Sequence, residues 1–363
     1  MKNKSIRLFT AMVMIFIGAM AVLSSPRSIS DRLRKRYVFD KSEFRVPSNA
    51  IQLRSVRIFP GAEDEEAGIY IGHAQSMSAD PDGLLYVPDD KNDEILVFSQ
   101  QGQLVRRFGR TGQGPGEFLR PTGIFCGSDY ILVREIQNRR FQFFSLAGKY
   151  QSGFHCFKDY YAFVVVGKSL IGAPLQSRLP EKPSDSALID VMDLQGRVQR
   201  SFGATLDVPV SNYTFDQLLH LALSTKNQIV VAFQLFPIVR LYSLEGKLIR
   251  EFKTRSVIIE KDALINKKMI KLSGSGAQTR RVVTAHSIFV DADGIYIVIA
   301  NKNKLEILLY NENGDSKEYY YKNLEASMGI CRGLFVKKSS GGKRFFVLRS
   351  LPSPSIEELI KYK

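Results

Sequence analysis

Apolar and polar positions alternate in short runs along most of the chain, and one run recurs. Five times an apolar–x–apolar–apolar segment is followed, after three further residues, by glycine. These are ILVFSQQG (95–102), FQFFSLAG (141–148), IDVMDLQG (189–196), VRLYSLEG (239–246) and ILLYNENG (307–314). Four residues before the glycine stand Phe98, Phe144, Met192, Tyr242 and Tyr310, and six residues after it stand Phe108, Phe154, Phe202, Phe252 and Tyr320. The register holds without a gap. Alternation of this kind marks strands, and a glycine between two such runs marks a hairpin that needs positive φ.

Upstream of each unit lies another apolar run: LLYV (84–87), YILV (130–133), LIGA (170–173), QIVV (228–231) and IYIV (295–298). A shorter apolar piece opens the unit, as in SMSADPDG (76–83) and SIFVDADG (287–294). Four strands in roughly 45–50 residues is the period of a propeller blade. A sixth unit has only three strands, in GLFVKK (333–338), RFFVLRS (344–350) and IEELIKYK (356–363). Its fourth is expected from IQLRSVRIF (51–59), so that the two ends of the ring pair and no sheet edge stays open. The fold class expected is all-β: a six-bladed propeller of four-stranded antiparallel blades closed by an N-terminal strand.

The glycine-rich FGRTGQGPGEFLRPTGI (108–124) fits this scheme as a joint between blades. A phosphate loop would need a Gly-Lys-Ser/Thr and a following helix; here Pro115 removes a backbone donor and strand-like alternation follows. In the joint reading Phe118 wedges between blades and Pro121 starts the inner strand. At GQGPGEFLRPTGI and VFSQQGQLVRRFG the sequence resembles the NHL-type six-bladed propellers of bacterial envelope proteins, over residues 48–363. That resemblance implies the fold; relatives of this shape include lyases, sensors and binding modules, so it implies no single activity.

Charge and the N-terminus add location. The net charge of +15 is partly carried outside the repeats, by Lys2, Lys4 and Arg7 before the apolar run 9–23, and by seven Lys/Arg between Arg27 and Arg45 after it. A basic start, an apolar stretch and small residues at Ser24 and Ser25 make residues 1–25 a signal peptide or N-terminal membrane anchor. The more basic flank lies after the run, against the usual positive-inside tendency for an exported C-terminus. Residues 26–47 then form a basic linker, with 27–45 suited to touching anionic headgroups, and 48–363 the propeller. The expected location is exported, periplasmic or extracellular. Nucleic acid is an unlikely partner for such a chain. Cys126, Cys156 and Cys331 have no metal-finger or CxxC spacing, and Cys126 and Cys331 lie in apolar stretches that suit burial.

Candidate chemistry gathers on one rim. In a propeller the starts of the inner strands and the loops between second and third strands surround the channel on one face. An insertion at 177–187 and a long connector at 254–285 fall there, the latter with a short helix expected in 260–272. The ligand-binding candidates are Arg134, Arg139, Arg140, Lys267, Lys268, Arg280, Arg281 and Asn301. Their charge suits an acidic small molecule, glycan or peptide. Aligning blades 4 and 5 puts His220 and His286 at one blade position, with His73 two positions earlier in its own blade. Three such imidazoles could hold Zn²⁺ with an open position, as the resemblance to NHL-type amidating lyases implies. PDDKND (88–93) offers oxygen ligands without the glycine and glutamate of a calcium loop. There is no GxSxG, no HExxH and no Cys-His pair suited to catalysis, so a non-enzymatic binding or sensor propeller is expected, with a zinc-dependent lyase or hydrolase, or an envelope scaffold, as alternatives; no resident cofactor is expected in the first case.

Overall fold

The structure, a computed structural model, describes residues 44–175, 187–206, 218–262, 283–325, 328–350 and 353–362. The N-terminal segment 1–25, most of the linker, the insertion at 177–186 and the cations Lys267, Lys268, Arg280 and Arg281 lie outside the described residues. No helix among the described residues is long and apolar enough to cross a membrane.

The chain folds as a six-bladed, all-β propeller. Blade 1 is β2 (Ser78–Ala79), β3 (Leu85–Asp89), β4 (Glu94–Phe98) and β5 (Leu104–Phe108). Blade 2 is β6 (Pro121–Cys126), β7 (Tyr130–Glu135), β8 (Arg140–Ser145) and β9 (Tyr150–His155). Blade 3 runs β10 (Tyr160–Val166), β11 (Ser169–Pro174), β12 (Ala187–Asp193), β13 (Val198–Ala204). Blade 4 runs β14 (Leu219–Leu223), β15 (Ile229–Phe233), β16 (Ile238–Tyr242), β17 (Leu248–Lys253). Blade 5 has β18 (Ser287–Asp291), β19 (Gly294–Ala300), β20 (Lys304–Tyr310) and β21 (Ser316–Asn323). The sixth has β22 (Gly333–Ser339), β23 (Gly342–Arg349) and β24 (Ser355–Lys361), completed by β1 (Ile51–Phe59).

Closure is made by that last strand. β1 runs antiparallel to β24 from Leu53↔Lys361 to Phe59↔Ile356. Its first residues also pair in parallel with β21 of blade 5, Ile51↔Tyr320 and Gln52↔Tyr321, so two blades share one eight-stranded sheet. The second and third strands of each blade are largely buried; the outer strands alternate or face water, as in β17, where Leu248–Arg250 are exposed and Glu251–Lys253 half-buried.

The repeat in the sequence has a physical cause in how blades touch. Each repeat glycine turns the third strand into the fourth with φ between 82° and 93°, a region that L side chains avoid. Each also receives the aromatic ring of the preceding blade's outer strand. Phe108 lies on Gly148, Phe154 on Gly196, Phe202 on Gly246 and Phe252 on Gly314; a Cβ at Gly148 would sit 2.7 Å from the Phe108 ring. The ring then meets the residue four before the glycine: Phe108–Phe144 and Phe202–Tyr242 centroids are 5.3 Å and 5.4 Å apart. Phe59 of β1 takes the same place against Gly102 and Phe98, so the closing strand reproduces the lock used between the other blades.

The joint at 108–121 behaves as expected. Phe118 is fully buried in a cluster that joins Ile95 and Val97 of blade 1 to Ile131 and Phe144 of blade 2. Gly109, at φ 93°, lets its ring pass, since a Cβ there would lie 2.3 Å from Phe118. Helix occurs at α1 (Ala62–Glu66) and at 257–262, the latter reaching the start of the segment where a helix is expected. All three cysteines are free; Cys156 and Cys331 are buried and Cys126 is half-buried.

Candidate functional site: the central channel

Inner strands of six blades converge on a cavity of about 170 Å³. Its wall takes residues from every blade: Gln75–Met77 before β2, Thr122 of β6, Tyr161 of β10, His220 of β14, His286 before β18 and Arg332 before β22. The ends of second strands add Arg134 and Gln234. The walls between are apolar, with Ile124, Phe163, Leu221 and Ile288. Among the described residues no carboxylate lines it.

Arg134 reaches the channel from β7. It is 6% exposed, and Nε and Nη2 donate to the Thr122 hydroxyl at 3.2 and 2.5 Å. It has no carboxylate within ion-pair distance among the described residues. Burial pulls its pKa down to about 10, against the pull of Tyr161 and Asp159, and it remains cationic at neutral pH. Arg332 lines the cavity from the sixth blade, and its buried Nε has no partner among the described residues.

The two histidines between them are neutral. Burial pushes His220 down to about 4 and His286 to about 3, with Arg332 adding repulsion to both and His220 to His286. His286 Nδ1 accepts from the Ala300 N–H at 3.1 Å, which places its proton on Nε2. His220 Nε2 donates to the Ala285 carbonyl at 3.1 Å, which leaves Nδ1 as its free lone pair.

His73 stands elsewhere. Its Nδ1 lies 2.5 Å from Asp90, its side chain is 46% exposed, and it is absent from the channel wall. The structure thus brings two of the three candidate metal ligands together and not the third. No group of three or more His, Cys, Asp or Glu among the described residues is placed to hold a metal ion. The donors present do not fit the expected zinc site. The oxygens of 88–93 are also engaged internally: Asp89 accepts from the backbone N–H of Gly72, His73, Lys91 and Asn92, and Asp90 from the Gln75 amide at 2.6 Å.

The other candidates fall into two groups. Arg140 belongs to the joint: its Nε is 2.7 Å from the fully buried Glu135, and its Nη atoms donate to the carbonyls of Gln113, Gly114 and Glu117. Asn301 caps a turn, its Oδ1 accepting from the N–H of Asn303 and Lys304 at 2.9 Å each. Arg139 is exposed, at φ 48°, beside His155 and Phe157 on a shallow outer pocket. Reading by residue type misses Arg332, Thr122 and Tyr161. A signal for Arg332 exists: aligned on the inner strand, it occupies in blade 6 the position of His286 in blade 5.

Comparison with known proteins agrees with the fold. A family model described as a 6-bladed beta-propeller matches residues 77–161. No curated protein sequence matches the chain. Among solved structures, a Bacteroides fragilis protein described as exported is similar at 10% identity and a TM-score of 0.54, covering 89% of this chain and 98% of its own. A member of the DUF4221 family from Bacteroides vulgatus is similar at 12% identity and 0.54, covering 87% and 100%. A streptogramin B lyase is similar at 13% identity and 0.50, covering 85% and 98%. At these identities the likeness is one of fold.

Proposed function

We propose that the chain is an exported, non-enzymatic recognition propeller of NHL type that takes a ligand or a partner's protruding group into its central channel. The observation that carries this reading is the channel wall itself. Six blades supply polar groups to one cavity, and among the described residues Arg332 Nε on its wall has no partner. Buried polar groups are ordinarily satisfied, so an unpartnered guanidinium nitrogen of Arg332 on the wall of a polar cavity suits a site completed by something else. The three-part N-terminal segment supports export, and so does the description of the Bacteroides fragilis neighbour.

A metal-dependent lyase would need His73 beside His220 and His286, and His73 is paired with Asp90 instead. A pure scaffold would leave the channel without a ligand. The test is a small-molecule and glycan screen by thermal shift, followed by calorimetry, on the full chain and on Leu221→Trp, which fills the cavity from its wall. Saturable binding at one site per chain, lost in L221W, is the expected result. No saturable ligand, or binding that L221W leaves unchanged, contradicts the reading.

A further inference from the structure

We propose that the channel is an oxyanion site, in which a carboxylate, phosphate or sulfate group is held by the guanidiniums of Arg134 and Arg332, with the N–H of His286 as a third donor. This rests on the reading of the channel as a ligand site and names the chemistry of that ligand.

Two arginines are fully buried among the described residues, Arg134 and Arg240. Arg240 has its counter-charge, with Nε 2.7 Å from Glu251. Arg134 has only the neutral Thr122 hydroxyl, which takes two of its five N–H donors. A guanidinium withdrawn from water with so few acceptors is costly, and its planar fork matches the oxygens of a carboxylate or phosphate. Arg332 faces the same cavity with its Nε buried and unpartnered. Among the described residues the wall contains no carboxylate that could serve instead. Two cations on a partly open cavity whose described wall carries no carboxylate give a mainly positive field, which apolar walls strengthen; Asp159 pulls on Arg134 from outside that wall.

The histidines refine the shape of the ligand. With its proton on Nε2, His286 offers a donor to an oxyanion; His220, whose Nε2 is bound to Ala285, leaves a lone pair for a hydroxyl or amide N–H. The fitting ligand is therefore compact, anionic at one end and carries a neighbouring hydrogen-bond donor. That description covers a free small anion and an acidic sugar unit alike.

The test uses the full chain and three probes, inorganic phosphate, sulfate and galacturonate, each at ionic strength matched with chloride. Melting temperature and calorimetry are read for wild type, Arg332→Met, Arg134→Met and Arg332→Lys, with circular dichroism to establish folding. At least one probe should bind saturably, at least tenfold more weakly in R332M, with partial recovery in R332K. Galacturonate binding tighter than both inorganic anions assigns the acidic-sugar source; the reverse assigns the free anion. If no probe binds beyond the chloride control, or if binding survives R332M and R134M undiminished, the inference fails. If a neutral molecule from the screen binds in an L221W-sensitive way while the anions do not, the anion inference fails and the channel reading stands.

Discussion

Arg134 and Arg140 lie at the two ends of one hairpin connection in blade 2, and both are largely withdrawn from water, yet they have opposite surroundings. Arg140 is enclosed by acceptors: a buried carboxylate and three backbone carbonyls of the glycine-rich joint. Arg134 points the other way, into the channel, and finds one hydroxyl. Burial alone thus does not distinguish a structural cation from a recognising one. The count of acceptors does, because a buried charge is tolerated only where its donors are met. The joint meets its buried cation within the protein; the channel cation Arg134 meets one hydroxyl among the described residues.

The largest expected effect breaks the joint. Glu135→Ala removes the acceptor of Arg140, of the Gln142 and Asn138 amides and of the Leu119 N–H, and should cost about 3–5 kcal/mol in denaturant unfolding. Arg134→Met, by contrast, should cost far less, since among the described residues its guanidinium has no carboxylate within ion-pair distance and feels only the weaker pull of Tyr161 and Asp159. Equal losses in the two variants would erase the distinction.

The lock between blades should come next. Gly148→Ala combines a φ of 83° with a Cβ 2.7 Å from the Phe108 ring, and should cost about 2–3 kcal/mol. The steric part depends on that ring, so G148A/F108A should cost less than the sum of the single variants. Strict additivity would contradict the contact.

Protonation gives a smaller effect with a defined sign. His220 and His286 titrate near 4 and 3 when folded and near 6.5 when unfolded, so the unfolded chain binds more protons as pH falls below about 6.5. Stability therefore declines from pH 6.5 towards 4. Asp262, raised to about 6 by burial, acts in the opposite direction over part of that range. The clean observable is the difference between wild type and His286→Asn: the variant should lose stability less steeply with acid by about one proton. Identical slopes would mean that His286 is not held neutral. The smallest effect belongs to Phe157→Ser, a ring 98% exposed, which should change stability by less than about 0.5 kcal/mol.

Much of the fold was legible because its determinants are local and repeated. The hairpin glycine needs its φ whatever surrounds it, and the aromatic six residues on locks the next blade at a fixed spacing. Even ring closure could be reckoned from a unit with three strands and a spare strand at 51–59. The channel was harder to read. Its polar residues come one or two at a time from six units, and their direction is set by strand register. His220 and His286 emerged because histidine is scarce; Arg332, at the blade position of His286, is lost among the many basic residues. Arg140 and Asn301 show the converse difficulty, since a polar loop residue that satisfies its own turn has the same composition as one that binds.

The most direct measurement is the anomalous scattering of crystals grown with selenate, a heavy analogue of sulfate. The expected result is a selenium peak inside the channel, within hydrogen-bond distance of both Arg134 and Arg332 and absent from crystals of R332M. Selenate found only on the outer surface, with water alone between the two guanidiniums, would contradict the claim that the channel awaits an anion.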